Sequence, residues 1–313
     1  MHISVIIPAY NAERFLEAAI ESVFSQTHSD WDLVIVDNAS TDTTGALAAR
    51  YAKLCDRLAV VSLTKNVGPG GARNAGLASL KSDPTSGVMF LDADDVLRPD
   101  AMEVLSEGLA SVPKMLAVHG NAEYIDIDGV SHQPGQLEAA VRSRPYLRFG
   151  RLVREDTAPR TTFDSLVIWC SITTPGMVLV RRTAIDQVGA FDPSCRPAED
   201  WDMWIRLARC GDFGFLDHVV LGYRLHPFNM SHQKRTMRRG EKLVVRKTRL
   251  DPATSVAQCQ LLADAWRAQT KYGAVAKLRS ARAAAHERKW LVAGMELQRA
   301  ARWWSASVLG PTP

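Results

Sequence analysis

Residues 87–95, GVMFLDADD, decide the fold. The apolar run 87–91 reads as a buried strand, and Asp92, Asp94 and Asp95 follow it at once. The same grammar recurs at 33–37, LVIVD, where a buried run ends on Asp37. Carboxylates at the carboxyl ends of strands project into the crevice where open α/β sheets bind ligands. Residues i and i+2 of an extended segment point to one side, so Asp92 and Asp94 are expected to face the same ligand. A third acidic group, Glu199-Asp200 in AEDWDMW, stands farther along the chain. Acids gathered in one crevice repel unless a cation or hydrogen-bond donors lie between them. A nucleotide held through a divalent metal meets that requirement.

Outward from these strands, residues 3–120 alternate strand-like and helix-like segments. Strands are expected at 4–7, 33–36, 59–63, 87–91 and 115–119. After Pro8, Asn11 is placed to cap a helix in which Leu16, Ile20 and Val23 share one face. Ser40-Thr41-Asp42 precedes a helix near 43–54, Gly68–Gly71 turns the chain into a helix ending near Leu80, and Pro99-Asp100 opens another. This alternation implies a mostly parallel sheet flanked by helices. Residues 131–165 break the rhythm with prolines and with Arg142, Arg144, Arg148, Arg151, Arg154 and Arg160, as an insertion at the mouth of the site would. Strand-like runs follow at 177–180 and 218–225, with an amphipathic helix from about Asp200 between them. From about residue 240, apolar positions recur at helical spacing in three groups: 262, 265, 266; then 278, 281, 285; then 290, 293, 297, 300. Three helices packed as hairpins are expected, giving a domain at 1–235 and an all-helical extension at 236–313.

Composition bounds the function. A chain of 313 residues with 46% hydrophobic content buries a full core. A net charge of +4 gives no global field for a nucleic-acid partner. No apolar run approaches the roughly 18 residues that span a bilayer. The N-terminus MHISVIIPAYN has no basic leader and does not read as a secretory signal. Five scattered cysteines without a C-x-x-C pair argue against a zinc site or a disulfide framework, and for a reducing cytosol.

Sugar transfer from a nucleotide-sugar poses a problem these acids would solve. Negative charge accumulates on the departing diphosphate, and a bound divalent cation stabilises it. Mg²⁺ and Mn²⁺ need only one or two carboxylates when phosphates supply other ligands. Here the sequence resembles the family 2 glycosyltransferases, which have the A-type glycosyltransferase fold. The resemblance covers roughly residues 1–232 and rests on six ordered segments: SVIIPAYN at 4–11, VDNASTD at 36–42, NVGPGGARNAG at 66–76, LDADD at 91–95, AEDWDMWIRL at 198–207 and YRLHPFNMS at 223–231.

What the resemblance implies is specific. Pro8, Tyr10 and Glu13 would line the nucleoside pocket. Asp37 would accept a hydrogen bond from the base, favouring uracil or thymine; Asn38 stands where the family often has a second acid. Asn66 and Arg73 would lie beside the nucleotide. Asp92 is expected near the ribose and the metal, Asp94 as direct metal ligand, and His226 with Arg224 near the diphosphate, His226 completing the metal shell. Asp200 is the candidate general base, and a single base implies inversion at the anomeric carbon. Glu199, Trp201, Arg148 and Arg151 are assigned to the acceptor side.

Each feature has a plainer reading beside it. An Asp after a strand is commonly a turn residue, and acids in a helix's first turn are favoured by its dipole. The arginines of 142–160 could be a solvated loop paired with Glu138, Glu155 and Asp156, or could meet an anionic, lipid-linked acceptor. Trp303-Trp304 could be core or oligomer contacts, or an interfacial anchor. The expected protein is an inverting, Mn²⁺- or Mg²⁺-dependent glycosyltransferase. Its donor is a nucleotide-sugar, with UDP favoured, and its acceptor a glycan or lipid carrier. It is expected to be cytoplasmic, with peripheral contact to the inner face of the membrane and self-association through the C-terminal helices. The alternatives are a sugar-phosphate nucleotidyltransferase, whose Gly-rich basic signature is replaced here by Pro8-Ala9-Tyr10-Asn11, and a non-catalytic nucleotide-sugar-binding module.

Overall fold

Strand β1 (Ile3–Ala9) is buried along almost its whole length, as a central strand covered on both faces must be. The computed structural model that shows this describes residues 1–81, 83–132, 137, 144–148, 151–155 and 160–309; the side chains of 144–148, 151–155, 272–273 and 302–309 are outside that description. On one side β1 pairs in parallel with β2 (Trp31–Asp37), which pairs with β3 (Leu58–Ser62). On the other it pairs in parallel with β4 (Gly87–Phe90). The register sets Ala9 opposite Asp37 and Ile6 opposite Phe90, so these strands end together at one edge. Beyond β4 the sheet continues through β10 (Val178–Arg181), β6 (Ala117–Ile125), β11 (Phe213–Arg224) and β5 (Val96–Leu97), with β9 (Arg160–Thr161) also on β11. β10 is antiparallel to both β4 and β6, and β11 is parallel to β6. The sheet is therefore mostly parallel, as expected, but mixed in its second half.

The helices pack by the spacing of their apolar residues. α1 (Leu16–Phe24) buries Leu16, Ala19, Ile20 and Val23. α2 (Thr44–Ala52), α3 (Gly68–Ser79) and α4 (Ala101–Ser111) follow β2, β3 and β5. α5 (Phe163–Ile168) starts at a capping box made by Thr162 and Ser165, and α6 (Arg182–Val188) follows β10. α7 (Glu199–Ala208) buries Trp201, Met203, Trp204, Ile205 and Leu207 while presenting Glu199 and Asp200 at its start.

Three local expectations are corrected. Asn11 does not cap α1, which begins at Leu16. Asn11 instead adopts φ 48°, and its side-chain oxygen accepts from the Thr41 N–H at 2.9 Å. That oxygen serves the β2–α2 loop across the cleft edge, so it is not free to cap. The first two apolar groups after residue 240 belong to one long helix. The extension comprises α8 (Lys234–Leu250), α9 (Val256–His286) and α10 (Trp290–Leu309). No proline interrupts 256–286, so nothing in the chain stops α9 there. Beyond Trp266, the described buried apolar positions of the α9–α10 hairpin are alanines: Ala274, Ala281 and Ala284 on one helix, Ala293 and Ala300 on the other, with Glu296 buried among them and paired with Lys277 at 3.0 Å. Leu278, Trp290 and Leu297, expected to pack, are exposed. The division at 235/236 does not interrupt the packing, because Val244, Val245, Leu262 and Trp266 belong to the same hydrophobic cluster as β1 and α7. The five cysteines are free thiols. Among the described residues, no helix is long and apolar enough to cross a membrane.

Candidate active site

The ends of β1, β2 and β4, the start of α3, the start of α7 and the segment after β11 frame a cleft of about 450 Å³. Its floor is the Asp92–Asp95 segment. This is a tight turn, closed by the Asp95 N–H donating to the Asp92 carbonyl at 3.1 Å. The extended i, i+2 geometry expected of Asp92 and Asp94 is thus replaced by a turn. Both residues still line the cleft, while Asp95 is turned inward and is only 1% exposed. There it accepts from the Arg224 N–H (3.0 Å) and the Thr174 hydroxyl (3.0 Å). Burial, with Asp94 and Asp92 adding to it, pushes the Asp95 carboxyl well above the usual carboxylate range. Asp95 therefore acts as an internal anchor that binds the turn to β11.

Asp94 meets His226 across the cleft, with Oδ2 and Nε2 2.9 Å apart. The other ring nitrogen of His226, Nδ1, accepts from the Phe228 N–H at 3.2 Å. A nitrogen that accepts carries no proton, so Nε2 is the one aimed at Asp94 as donor. Phe15 stacks on the imidazole with centroids 4.8 Å apart and fixes its plane.

Arg73, on α3, joins the other two acidic groups. Its Nη2 donates to Asp92 Oδ1 at 2.6 Å, and its Nη1 lies 3.5 Å from Glu199 Oε1. The guanidinium is buried and lies 5.4 Å from the centre of the Phe191 ring. Burial opposes its charge, but Asp92, Glu199 and Asp200 more than offset this, so it holds its proton more tightly than usual. Glycine permits this approach: a Cβ on Gly70 would sit 2.9 Å from Glu199 Cγ.

Asp200 lies beside this cluster on the cleft wall, with Oδ1 accepting from the Trp201 N–H at 2.7 Å. Burial, then the neighbouring Glu199, push its carboxyl up to about 7, with Arg73 pulling the other way. Such a group is half ionised near neutrality and suits a general base.

Pro8, Tyr10, Asn66, Arg73, Asp92, Asp94, Glu199, Asp200 and His226 all line the cleft. Four assigned residues do not. Asp37 sits at its rim, where Oδ1 accepts from the Ser40 N–H (3.0 Å). Glu13 is tied to Thr43 through both the N–H (3.0 Å) and the hydroxyl (2.6 Å). Arg224 points beneath the floor and donates to the carbonyls of Asp94, Asp126 and Ile127. Trp201 is buried in the core and its indole donates to the Leu166 carbonyl at 2.8 Å. Arg148 and Arg151 are paired positions at the end of a ribbon formed by β7 (Arg144–Arg148) and β8 (Arg151–Glu155). Their side chains, those of Arg144, Arg154, Glu155, Trp303 and Trp304, and residues Glu138, Arg142 and Asp156 altogether, lie outside the described residues.

Sequence reasoning missed Arg196. It lines the cleft, is exposed, and has no ionic partner among the described residues. Its only signal was a cation three residues before the Glu199-Asp200 pair. Asn38 was also passed over. Its amide donates toward Asn66 and the Gly68 carbonyl, and its oxygen accepts from the Val67 N–H at 2.9 Å, fixing the loop that opens α3. A separate cluster of Asp192, Cys195 and Asp202 has metal-like spacing. The Lys247 ammonium fills it instead, 2.7 Å from Asp192 and 2.8 Å from Asp202.

A mostly parallel sheet that brings an acidic strand end (Asp92 and Asp94) and an acidic helix start (Glu199 and Asp200) to one cleft, with Asp37 at its rim, is the arrangement of the A-type glycosyltransferase fold. Residues 4–189 match the model of Glycosyl transferase family 2, and the chain belongs to that family. A glycosyltransferase of Nostoc sp. is 32% identical over 235 residues, covering 73% of this chain and 66% of that protein. The succinoglycan biosynthesis protein ExoO of Rhizobium meliloti is 26% identical over 237 residues, or 74% and 64% of the two chains. The putative teichuronic acid biosynthesis glycosyltransferase TuaG of Bacillus subtilis is 40% identical over 101 residues, or 32% and 39%. The chain thus spans about two thirds, or less, of these relatives. Among solved structures, S. aureus TarS 1-349 in complex with UDP-GlcNAc superposes with TM-score 0.66 at 17% identity, covering 87% of this chain and 73% of that one. The mannosyltransferase PcManGT from Pyrobaculum calidifontis, in complex with GDP-Man and Mn²⁺, gives 0.63 at 18% identity, covering 97% and 86%. At these identities the likeness is one of fold.

Proposed function

We propose that this chain is an inverting, divalent-metal-dependent glycosyltransferase that moves a sugar from a nucleoside-diphosphate donor, with UDP favoured, to a hydroxyl of a glycan or lipid-linked acceptor. One observation carries the reading: Asp94, Asp200 and Arg73, from three distant segments, meet in a single cleft. Asp200 is the base that takes the acceptor proton. Glu199 and Asp92 are paired with Arg73 and Asp94 with His226, which leaves Asp200 as the cleft carboxylate without an ion pair among the described residues. A single base supports one displacement and inversion.

The residues present fit a metal. Asp94 and His226 offer one oxygen and one imidazole nitrogen 2.9 Å apart; ligation through Nε2 would require the ring proton to move to Nδ1, in place of the contact with the Phe228 N–H. Neighbouring ligands in an octahedral shell with bonds of about 2.1 Å are separated by about 3 Å. Asp92 is the third candidate ligand and in this structure is bonded to Arg73. When bound there, Mn²⁺ or Mg²⁺ would stabilise charge on the leaving diphosphate as a Lewis acid. Pro8, Tyr10, Asn38 and Asn66 form the nucleoside end of the cleft. A base contact by Asp37 requires its carboxylate to be shared with the Ser40 N–H. Arg196 supplies an unpaired cation to the diphosphate or to an acidic acceptor.

The names of the relatives, which include succinoglycan and teichuronic acid biosynthesis, support a polysaccharide or lipid-linked acceptor. With it we infer cytoplasmic residence with peripheral membrane contact. We also infer self-association through α10, where Trp290, Leu291 and Met295 are exposed. The test is release of UDP from UDP-sugars. We expect release with Mn²⁺ and its loss in both Asp94→Ala and His226→Ala, together with loss of the Mn²⁺-dependent rise in melting temperature with UDP. Release that survives chelation and both substitutions rejects the assignment.

A further inference from the structure

Helix α8 (Lys234–Leu250) carries eight Lys or Arg against one Glu, a formal charge of +7, while the whole chain carries only +4. The remainder is therefore net −3, and the positive charge of the protein is concentrated on this helix. The distribution is directional. Arg235, Arg239, Lys242, Arg246 and Arg249 recur at i, i+4, i+7, i+11 and i+14, one face of a helix, and all five are exposed. They span four turns, about 21 Å. Leu243 (37% exposed) and Leu250 (64% exposed) border the row on the same side. The opposite face is buried through Gly240, Val244, Val245 and Thr248, and the sole acid, Glu241, is half-buried on that side. A Cβ on Gly240 would meet Pro197 Cδ at 2.7 Å, so the back of α8 lies directly on the segment that leads into Glu199 and Asp200. Arg235, Arg239, Lys242 and Arg246 have no acidic partner among the described residues.

We propose that the outer face of α8 is a docking surface for an anionic lipid bilayer. A solvated helix face ordinarily mixes both signs of charge; this one has a single sign over four turns. Clusters of four to eight Lys or Arg on an amphipathic helix attract the anionic leaflet. The two bordering leucines favour a bilayer over a soluble polyanion, because exposed apolar side chains gain from the headgroup boundary and gain nothing from a hydrated polymer. The apolar face of α8 is already buried in the protein, so the contact is electrostatic and reversible, not an insertion. Docking would hold the catalytic segment on the inner side of α8, one helix thickness from the lipid surface. This inference deepens the membrane contact proposed above and uses none of the residues assigned to chemistry.

Flotation of the full chain tests it, with phosphatidylcholine vesicles containing or lacking phosphatidylglycerol. Binding is expected only with the anionic lipid and is expected to vanish in molar salt, where the Debye length is about 3 Å. Neutralising one surface cation costs about fivefold in partition. The variant Arg235→Gln/Arg239→Gln/Lys242→Gln/Arg246→Gln is thus expected to lose about a hundredfold or more, while Arg235→Lys/Arg239→Lys/Arg246→Lys keeps binding. Donor hydrolysis in solution is expected to be the same in both variants and the native chain. Equal flotation with neutral vesicles, no flotation at all, flotation unaffected by the Gln substitutions, or binding to dextran sulfate without binding to vesicles would each overturn the proposal. Vesicle binding is read without donor or metal, so a failure of the transfer reading leaves it separately decided.

Discussion

Asp200 combines two properties that a purely structural carboxylate lacks: it faces the cleft, and it is pushed up to about 7 by burial and by Glu199. A base must be ionised to accept a proton, so kcat/KM is expected to fall as pH drops below about 7. The stability effect has the opposite sense. The folded chain holds this proton more tightly than the unfolded chain, whose carboxyl titrates near about 3.9. The contribution of Asp200 to stability therefore declines as pH rises from about 4 to about 7 and is flat above. Asp200→Asn removes both effects. Transfer is expected to fall by about 10²–10⁴-fold, while the melting temperature at pH 8 is maintained or rises relative to the native chain and that advantage disappears near pH 4. A variant that loses activity and stability together at pH 8 would make Asp200 a structural residue. Arg73 is the counterpart, a buried cation whose two carboxylate partners come from β4 and α7. Without it, Asp92 and Glu199 would face each other uncompensated, a loss that commonly costs about 3 kcal/mol or more.

Elements, not single side chains, hold these groups in place, and glycine marks where they approach most closely. Gly68 opens α3 with φ +76°, and a Cβ there would lie 3.0 Å from Arg196 Nη1. Gly68→Ala is expected to cost about 1–2 kcal/mol from backbone conformation alone and to weaken UDP binding by shifting Asn66 and Arg196. Thermal melting and a nucleotide titration check both; an unchanged UDP affinity would remove this loop from the donor site. The chain announced this loop through its glycines, and announced the strands bearing Asp37 and Asp92 through apolar runs that end in acid. It did not announce the direction of β10, because VLVR reads the same in a parallel or antiparallel ladder. Nor did it announce the turn at 92–95, since the choice between extended and folded backbone there rests on the burial of Asp95 against Arg224 and Thr174, two distant residues. Asp37 and Glu13 read as ligand contacts by position, yet each commits one carboxylate oxygen to the loop at 40–43. That competition is tertiary and leaves no local mark.

At the scale of the whole molecule, the question is whether the extension is separate from the cleft it follows. We retain 1–235 and 236–313 as a proposed division of roles, with chemistry in the first part and attachment in the second. Packing nevertheless crosses it. Leu262 and Trp266 of α9 are 1% and 6% exposed, Arg238 of α8 lies over the Trp266 ring, and Gln269 donates to the Ile168 carbonyl at the end of α5. α5 in turn accepts the Trp201 indole through Leu166, one residue from Asp200. A continuous chain of contacts therefore runs from the extension to the catalytic helix. Trp266→Ala is expected to destabilise by about 3–5 kcal/mol, as large buried truncations do. Because the core is shared, the loss should appear in the same unfolding transition that UDP and Mn²⁺ raise, with no second transition. A ligand that binds only the folded state raises that transition according to its affinity, so melts of Trp266→Ala with and without UDP locate the effect. If the nucleotide-sensitive transition stays where it was and a separate, earlier one appears, the helices are an independent appendage and the cleft does not depend on them.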